Sequence, residues 1–178
     1  LKEPDKRLRD VEVLLRCMSF LRYSMDYKGN LLQFLDKTTR LFNEKWETEE
    51  SDIRELEDRV MIIIDKLIRV FGSCQAVARK YKNGEQNTQF NRVILEVLVY
   101  YFDQIDDACL TDENNRKFVT AYISLFSQDL DFQATIDGST KNMENYKIRY
   151  SRIQDIVNEN YGLNLVSPFE YVERRIRK

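Results

Sequence analysis

The chain has 178 residues, with 28 Lys and Arg against 30 Asp and Glu, a formal net charge of −2 and no histidine. The near-balance of charge excludes a global pull on phosphate or anionic lipid, and the missing histidine removes the commonest general base and a common metal ligand. A content of 43% hydrophobic and 33% charged residues is globular, and the length suits one ordinary domain with its own core.

From Asp10 to Tyr27 the apolar residues Val11, Leu14, Leu15, Met18, Leu21 and Met25 recur at helical spacing. Gly29 breaks the run. A second helix carries Leu31, Phe34, Leu35, Leu41, Phe42 and Trp46. The polar stretch Glu47 to Asp52 reads as a turn, and Glu49, Glu50 and Asp52 suit the positive end of a third helix. That helix runs to about Phe71 on a core stripe of Ile53, Leu56, Val60, Ile63, Ile64 and Leu67, and Gly72-Ser73 ends it.

A short helix is expected over Cys74 to Tyr81, followed by a polar loop, Lys82 to Glu85. Phe90 to Ala108 is apolar on nearly all sides and reads as the central helix, with Asn91 and Arg92 capping and bracing its start. Thr111 caps the next helix, which carries Phe118, Tyr122, Phe126 and Leu130. Asp137 to Thr140 interrupts, and a helix from about Asn142 to Tyr161 presents Tyr146, Tyr150, Ile153 and Val157. Ser167-Pro168 opens a final short helix with a basic end. The expected fold is all-α: one irregular bundle of about seven helices, antiparallel where the connections are short.

The three cysteines, Cys17, Cys74 and Cys109, have no close pair and no metal-ligand spacing, which fits a reducing compartment. No apolar run approaches the roughly 20 residues of a bilayer span, and no signal-peptide pattern is visible. A cytoplasmic protein with no membrane partner is expected. Oligomeric state leaves no mark on the sequence.

Few constellations carry chemistry. Without histidine, a metal site would need converging carboxylates; Asp103, Asp106 and Asp107 are the leading cluster that could join a carboxylate–Mg enzyme, with Glu55, Glu57 and Asp58 a weaker second. There is no glycine-rich phosphate loop. No cofactor, no resident metal and no catalytic residue are assigned. Three basic groups could contact nucleic acid: Arg7, Arg9, Arg16 and Arg22; Lys147, Arg149 and Arg152; and Arg174, Arg175, Arg177 and Lys178. The competing reading is salt bridging within the bundle, since Glu12 stands four residues before Arg16.

The stretch Arg7 to Phe20, with Arg7-x-x-Asp10-x-Glu12-x-x-x-Arg16, and the following Tyr27-Lys28-Gly29-Asn30-Leu31-Leu32-Gln33-Phe34-Leu35-Asp36 resemble two motifs of DUF262 proteins, the GmrSD-type family, with Asp36 where Asn is common. Val70-Phe71-Gly72, Asn91 to Glu96, and Ser139-Thr140 with Tyr146, Arg149 and Arg152 resemble later landmarks. The resemblance implies that residues 1–178 are a helical domain, a fragment or C-terminal region of a larger protein. The family's upstream ParB/sulfiredoxin-like domain, with its Asp-Gly-Gln-Gln-Arg motif and its nuclease or NTPase chemistry, is not in this sequence. It implies bacterial antiviral defence, a restriction system, and a non-catalytic role in positioning the upstream domain or a partner, with DNA as a further partner. The expected interdomain residues are Arg9, Asp10, Glu12, Arg16, Tyr27, Gly29 and Asn91. Of these, Asp10, Glu12, Arg16 and the Tyr27–Gly29 turn should line one cleft with exposed apolar surface, facing the place where an upstream domain docks.

Overall fold

The computed structural model describes residues 8–137 and 142–170. The architecture is all-α with one small β-hairpin. In chain order the elements are α1 (Arg9–Tyr23), a 3₁₀ turn (Ser24–Asp26), α2 (Leu31–Phe71), β1 (Arg79–Lys82), β2 (Glu85–Phe90), α3 (Arg92–Phe102), a 3₁₀ turn (Asp107–Cys109), α4 (Asp112–Gln128), α5 (Leu130–Asp137) and α6 (Met143–Tyr161).

α3 is the axis of the bundle. Every residue from Ile94 to Phe102 is buried, and α1, α2 and α6 pack around it. Each large apolar side chain so buried contributes roughly 1.5–3 kcal/mol. Its aromatic end is tied across the core, where the Tyr101 hydroxyl donates to the Tyr150 carbonyl at 2.9 Å. Phe20, Tyr27, Phe34 and Tyr146 form an edge-and-tilt aromatic cluster joining α1, α2 and α6.

The expected second and third helices are one element. α2 covers 41 residues, about 60 Å of helix, and the break the sequence suggests survives only as a bend. Glu49 leaves helical geometry (φ −126°, ψ 25°). Between Phe42 and Ile53 α2 buries no residue, so no core packing holds its halves in line. Arg22 and Lys45 reach the Glu49 carboxylate there, each at 2.6 Å. Counting those halves separately gives the expected seven rods among the described residues. Gly72 ends α2 in the left-handed region (φ +79°), which glycine takes without strain.

The short helix expected over 74–81 does not form. Ala78 stands at φ 54°, and the chain enters β1. Asn83 and Gly84 both take positive φ (54° and 80°) between strands paired Lys82 to Glu85, the backbone of a type I′ turn. The hairpin packs on α4 through the Tyr122 hydroxyl, which donates to the Arg79 carbonyl at 2.5 Å. The central helix is correspondingly shorter than 90–108, because Phe90 belongs to β2 and helical turns stop at Phe102.

Other boundaries agree. Asn91 Oδ1 accepts from the Val93 and Ile94 amides, Thr111 Oγ1 from Asn114, and Asn142 Oδ1 from Glu144. The helix expected to reach Leu130 instead divides at Asp129, whose carboxylate caps α5 by accepting from Phe132 at 2.8 Å. The chain becomes helical again at 168–170.

Candidate functional site

An apolar concavity with a volume of about 750 Å³ lies where α1, α2 and the β2–α3 corner meet. Val11 and Leu14, one turn apart, form its α1 wall; Val60, Met61 and Ile64 form its α2 wall; Phe90 closes one end and Leu95 of α3 lies beneath. Val11 is 54% exposed, Met61 56% and Phe90 38%. Charged and polar side chains stand at the rim: Arg9 and Asp10 from the first turn of α1, Gln89 from β2 and Arg92 from α3. A groove with an apolar floor and a polar rim is the form a protein-docking surface takes.

Beneath this groove runs a line of alternating charge. Arg92 Nη1 donates to Glu12 Oε2 at the rim. Glu12 Oε1 lies 3.6 Å from Arg16 Nη1. Arg16 in turn donates from Nη2 (2.7 Å) and Nε (3.1 Å) to Glu96 Oε2. Arg16, Glu96 and the nearby Arg149 are all buried, and Arg149 donates to the Thr135 carbonyl at 2.9 Å. Burial pushes the Glu96 carboxyl upward, with Arg16 and then Arg149 pulling it back. Burial works downward on Arg16, but the Glu96 charge and hydrogen bond, with Glu12, outweigh it and lift the guanidinium above its ordinary value. Next to this pair, burial pushes the Cys17 thiol up to about 12, which makes it a poor nucleophile. A neighbouring phenol, Tyr27, is likewise pushed up to about 12 by burial. The line from Arg92 through Glu12 and Arg16 to Glu96 joins α1 to α3 behind the groove lining, and these four charges are engaged with one another.

The expected interdomain residues divide accordingly. Arg9 and Asp10 stand at the groove rim. Glu12 and Arg16 form the charge line, so Arg16 is not a surface residue of a cleft. Tyr27 is buried among aromatic rings, and Gly29 is buried in the turn into α2 at φ +86°; neither lines the groove. Asn91 caps α3.

Among the described residues, the basic side chains offered for nucleic acid are mostly engaged within the protein. Arg22 pairs with Glu49, Arg152 with Asp129 at 2.5 Å, and Arg149 is 1% exposed, which removes it from any phosphate. Lys147 lies over the Phe169 ring at 5.6 Å. Arg7, Arg174, Arg175, Arg177 and Lys178 lie outside the described residues.

The carboxylate cluster also resolves into structural pairs: Asp103 with Arg59, Asp107 with Lys66 and Arg69, and Asp106 with the Ala108 amide. Among the described residues no group of three acidic or thiol side chains is placed to hold a metal ion.

Val60, Met61, Ile64 and Phe90 are the groove residues that spacing alone assigned to a helical core or left without a role. No family model, curated protein or solved structure matches the chain. The labels drawn from the motif resemblance, namely DUF262 or GmrSD-like, restriction system, antiviral defence, bacterial origin and DNA binding, therefore have no match beneath them and are withdrawn. Among the described residues no helix is long and apolar enough to cross a membrane.

Proposed function

We propose that this chain is a non-catalytic helical docking domain, and that the groove between α1 and α2 seats an apolar segment of an upstream or separate partner domain. The observation that carries this reading is the exposure of Val11, Met61 and Phe90 around one concavity. Leaving these side chains in water forgoes burial free energy that covering them would recover. The buried Arg16–Glu96 pair beneath fixes α1, one wall of the groove, against α3. The unpaired state of Cys17, Cys74 and Cys109 supports a reducing compartment, the cytoplasm.

The test places a photo-cross-linking amino acid at Met61 of the full-length protein in cells, with the same substitution at the exposed Gln128 of α4 as control. A discrete adduct, within the polypeptide or to a second one, is expected from position 61 alone and is lost when Val11→Asp is added. Adducts of equal yield from both positions, or none from position 61, would refute the docking role.

A further inference from the structure

We infer that the occupant of the groove is a basic amphipathic helix, an inference that rests on the docking reading above. Shape gives the first argument. Both walls are helices, and the apolar residues that line the groove are spaced one turn apart, Val11 with Leu14 and Val60 with Ile64. A helix presenting apolar residues at i, i+3, i+4 and i+7 meets such walls side chain against side chain.

Charge gives the second. Glu57 and Asp65 stand one turn before and one turn after Met61 on the same side of α2, and Asp58 lies beside them. All three are exposed. Asp10 is exposed at the opposite wall, in the first turn of α1. None of these four carboxylates forms an ion pair among the described residues. Of the rim cations, Arg92 is already held by Glu12, and Arg9 is likewise engaged. Unpaired acidic side chains therefore flank Met61 along α2 and stand in the first turn of α1, and the complement is an apolar stripe flanked by Lys or Arg.

The hairpin supplies the third argument, by excluding the main alternative. An extended peptide would have to add to β2, whose residues are all exposed. That edge is blunted. The Gln89 amide donates to Asn87 Oδ1 at 2.7 Å, and the Thr88 carbonyl accepts from Arg79 Nη1 at 2.7 Å. The pairing with β1 is irregular between Arg79 and Tyr81. Bulges and locally engaged backbone groups keep strands from adding to an edge.

The experiment pans a phage library of random peptides, about four helical turns long, on the purified chain and titrates the enriched peptides by fluorescence anisotropy. Met61→Glu places a charge in the groove at an exposed position, so the fold is retained; circular dichroism checks this. The expected peptides carry Lys or Arg beside apolar residues at i, i+3 or i+4 and i+7, and Met61→Glu abolishes their binding. Glu57→Lys with Asp65→Lys weakens them at least about threefold, and added salt weakens binding to the parent chain. Peptides that depend on Met61 but are acidic, alternate apolar and polar residues, or ignore the charge reversal overturn the helical, basic occupant and leave the docking role standing. If no enriched peptide depends on Met61, both fall together.

Discussion

Replacing Arg16 by Met tests the charge line at its centre. Met occupies much of the space of the arginine stem and removes the guanidinium that donates twice to Glu96. Glu96 is 2% exposed, so the stranded carboxylate has no water to turn to. Breaking a buried pair from one side costs about 3–5 kcal/mol, a large share of the roughly 5–15 kcal/mol that holds a domain.

The loss depends on pH, and its sign follows from the direction of the Glu96 shift. Burial already pushes this carboxyl above its ordinary 4.5, and without Arg16 the push grows. A carboxyl whose folded-state value lies above its unfolded one contributes fully below the unfolded value and loses that contribution as pH rises through the folded one. Relative to the parent protein, Arg16→Met should therefore be least destabilised near pH 4.5 and progressively more so toward pH 8. Adding Glu96→Gln removes the charge that must be neutralised. That double variant should recover stability at pH 8 and lose this pH dependence. Urea unfolding followed by the helical circular dichroism signal, at a series of pH values, measures all three proteins. A cost below about 1 kcal/mol at pH 8, or one that does not change with pH, would refute the assignment of Arg16 as the counter-charge of Glu96.

Asn91→Ala removes the acceptor for the Val93 and Ile94 amides at the start of α3 and should cost about 1 kcal/mol, seen in thermal melts as a drop of about 2–4 °C. Partial burial works upward on Asp129, but the Phe132 amide and the Arg152 guanidinium hold its carboxyl below the usual aspartate range. Its contribution is therefore present above the unfolded value of 3.8 and lost as pH falls through the lower folded one. Asp129→Asn should accordingly cost up to about 1 kcal/mol at neutral pH, with the gap from the parent closing as acid is added in a urea series. Iodoacetamide at pH 8 should label the exposed Cys74 readily and spare Cys17, which is 1% exposed with its thiol pushed up to about 12, until denaturant is added. Mass spectrometry of the digests reads each site, and early labelling of Cys17 would contradict its burial.

Helical periodicity carried most of the fold, because α1, α3, α4 and α6 bury faces or whole surfaces that the spacing reveals. The hairpin was hidden by its flanks. Asn83-Gly84 is a strong turn signal, but β1 and β2 are polar and mostly exposed, so no apolar alternation announced strands. Arg149 was misplaced because charge outweighed position. It lies three residues after Tyr146 and four before Ile153, both buried on the same face of α6, and that spacing already put it inside. The groove was the hardest feature to read. Val60, Ile63, Ile64 and Leu67 belong to one broad apolar stripe on α2, and helical phase alone cannot say which part of such a stripe meets α3 and which is left open.

The distinction between those two parts comes from α1. It is held to α3 by a buried ion pair as well as by apolar packing. An apolar replacement of that pair could match its stability. What an ion pair adds is geometric selectivity, since two donors must meet one carboxylate at hydrogen-bond distance, and sliding or rolling α1 over the α2 stripe would break both bonds. The same constraint that stops α1 from closing over Met61 keeps Val11 and Leu14 facing the gap. In this reading the buried charge and the open apolar groove are two consequences of one arrangement, and weakening Arg16–Glu96 should alter the groove before it unfolds the domain.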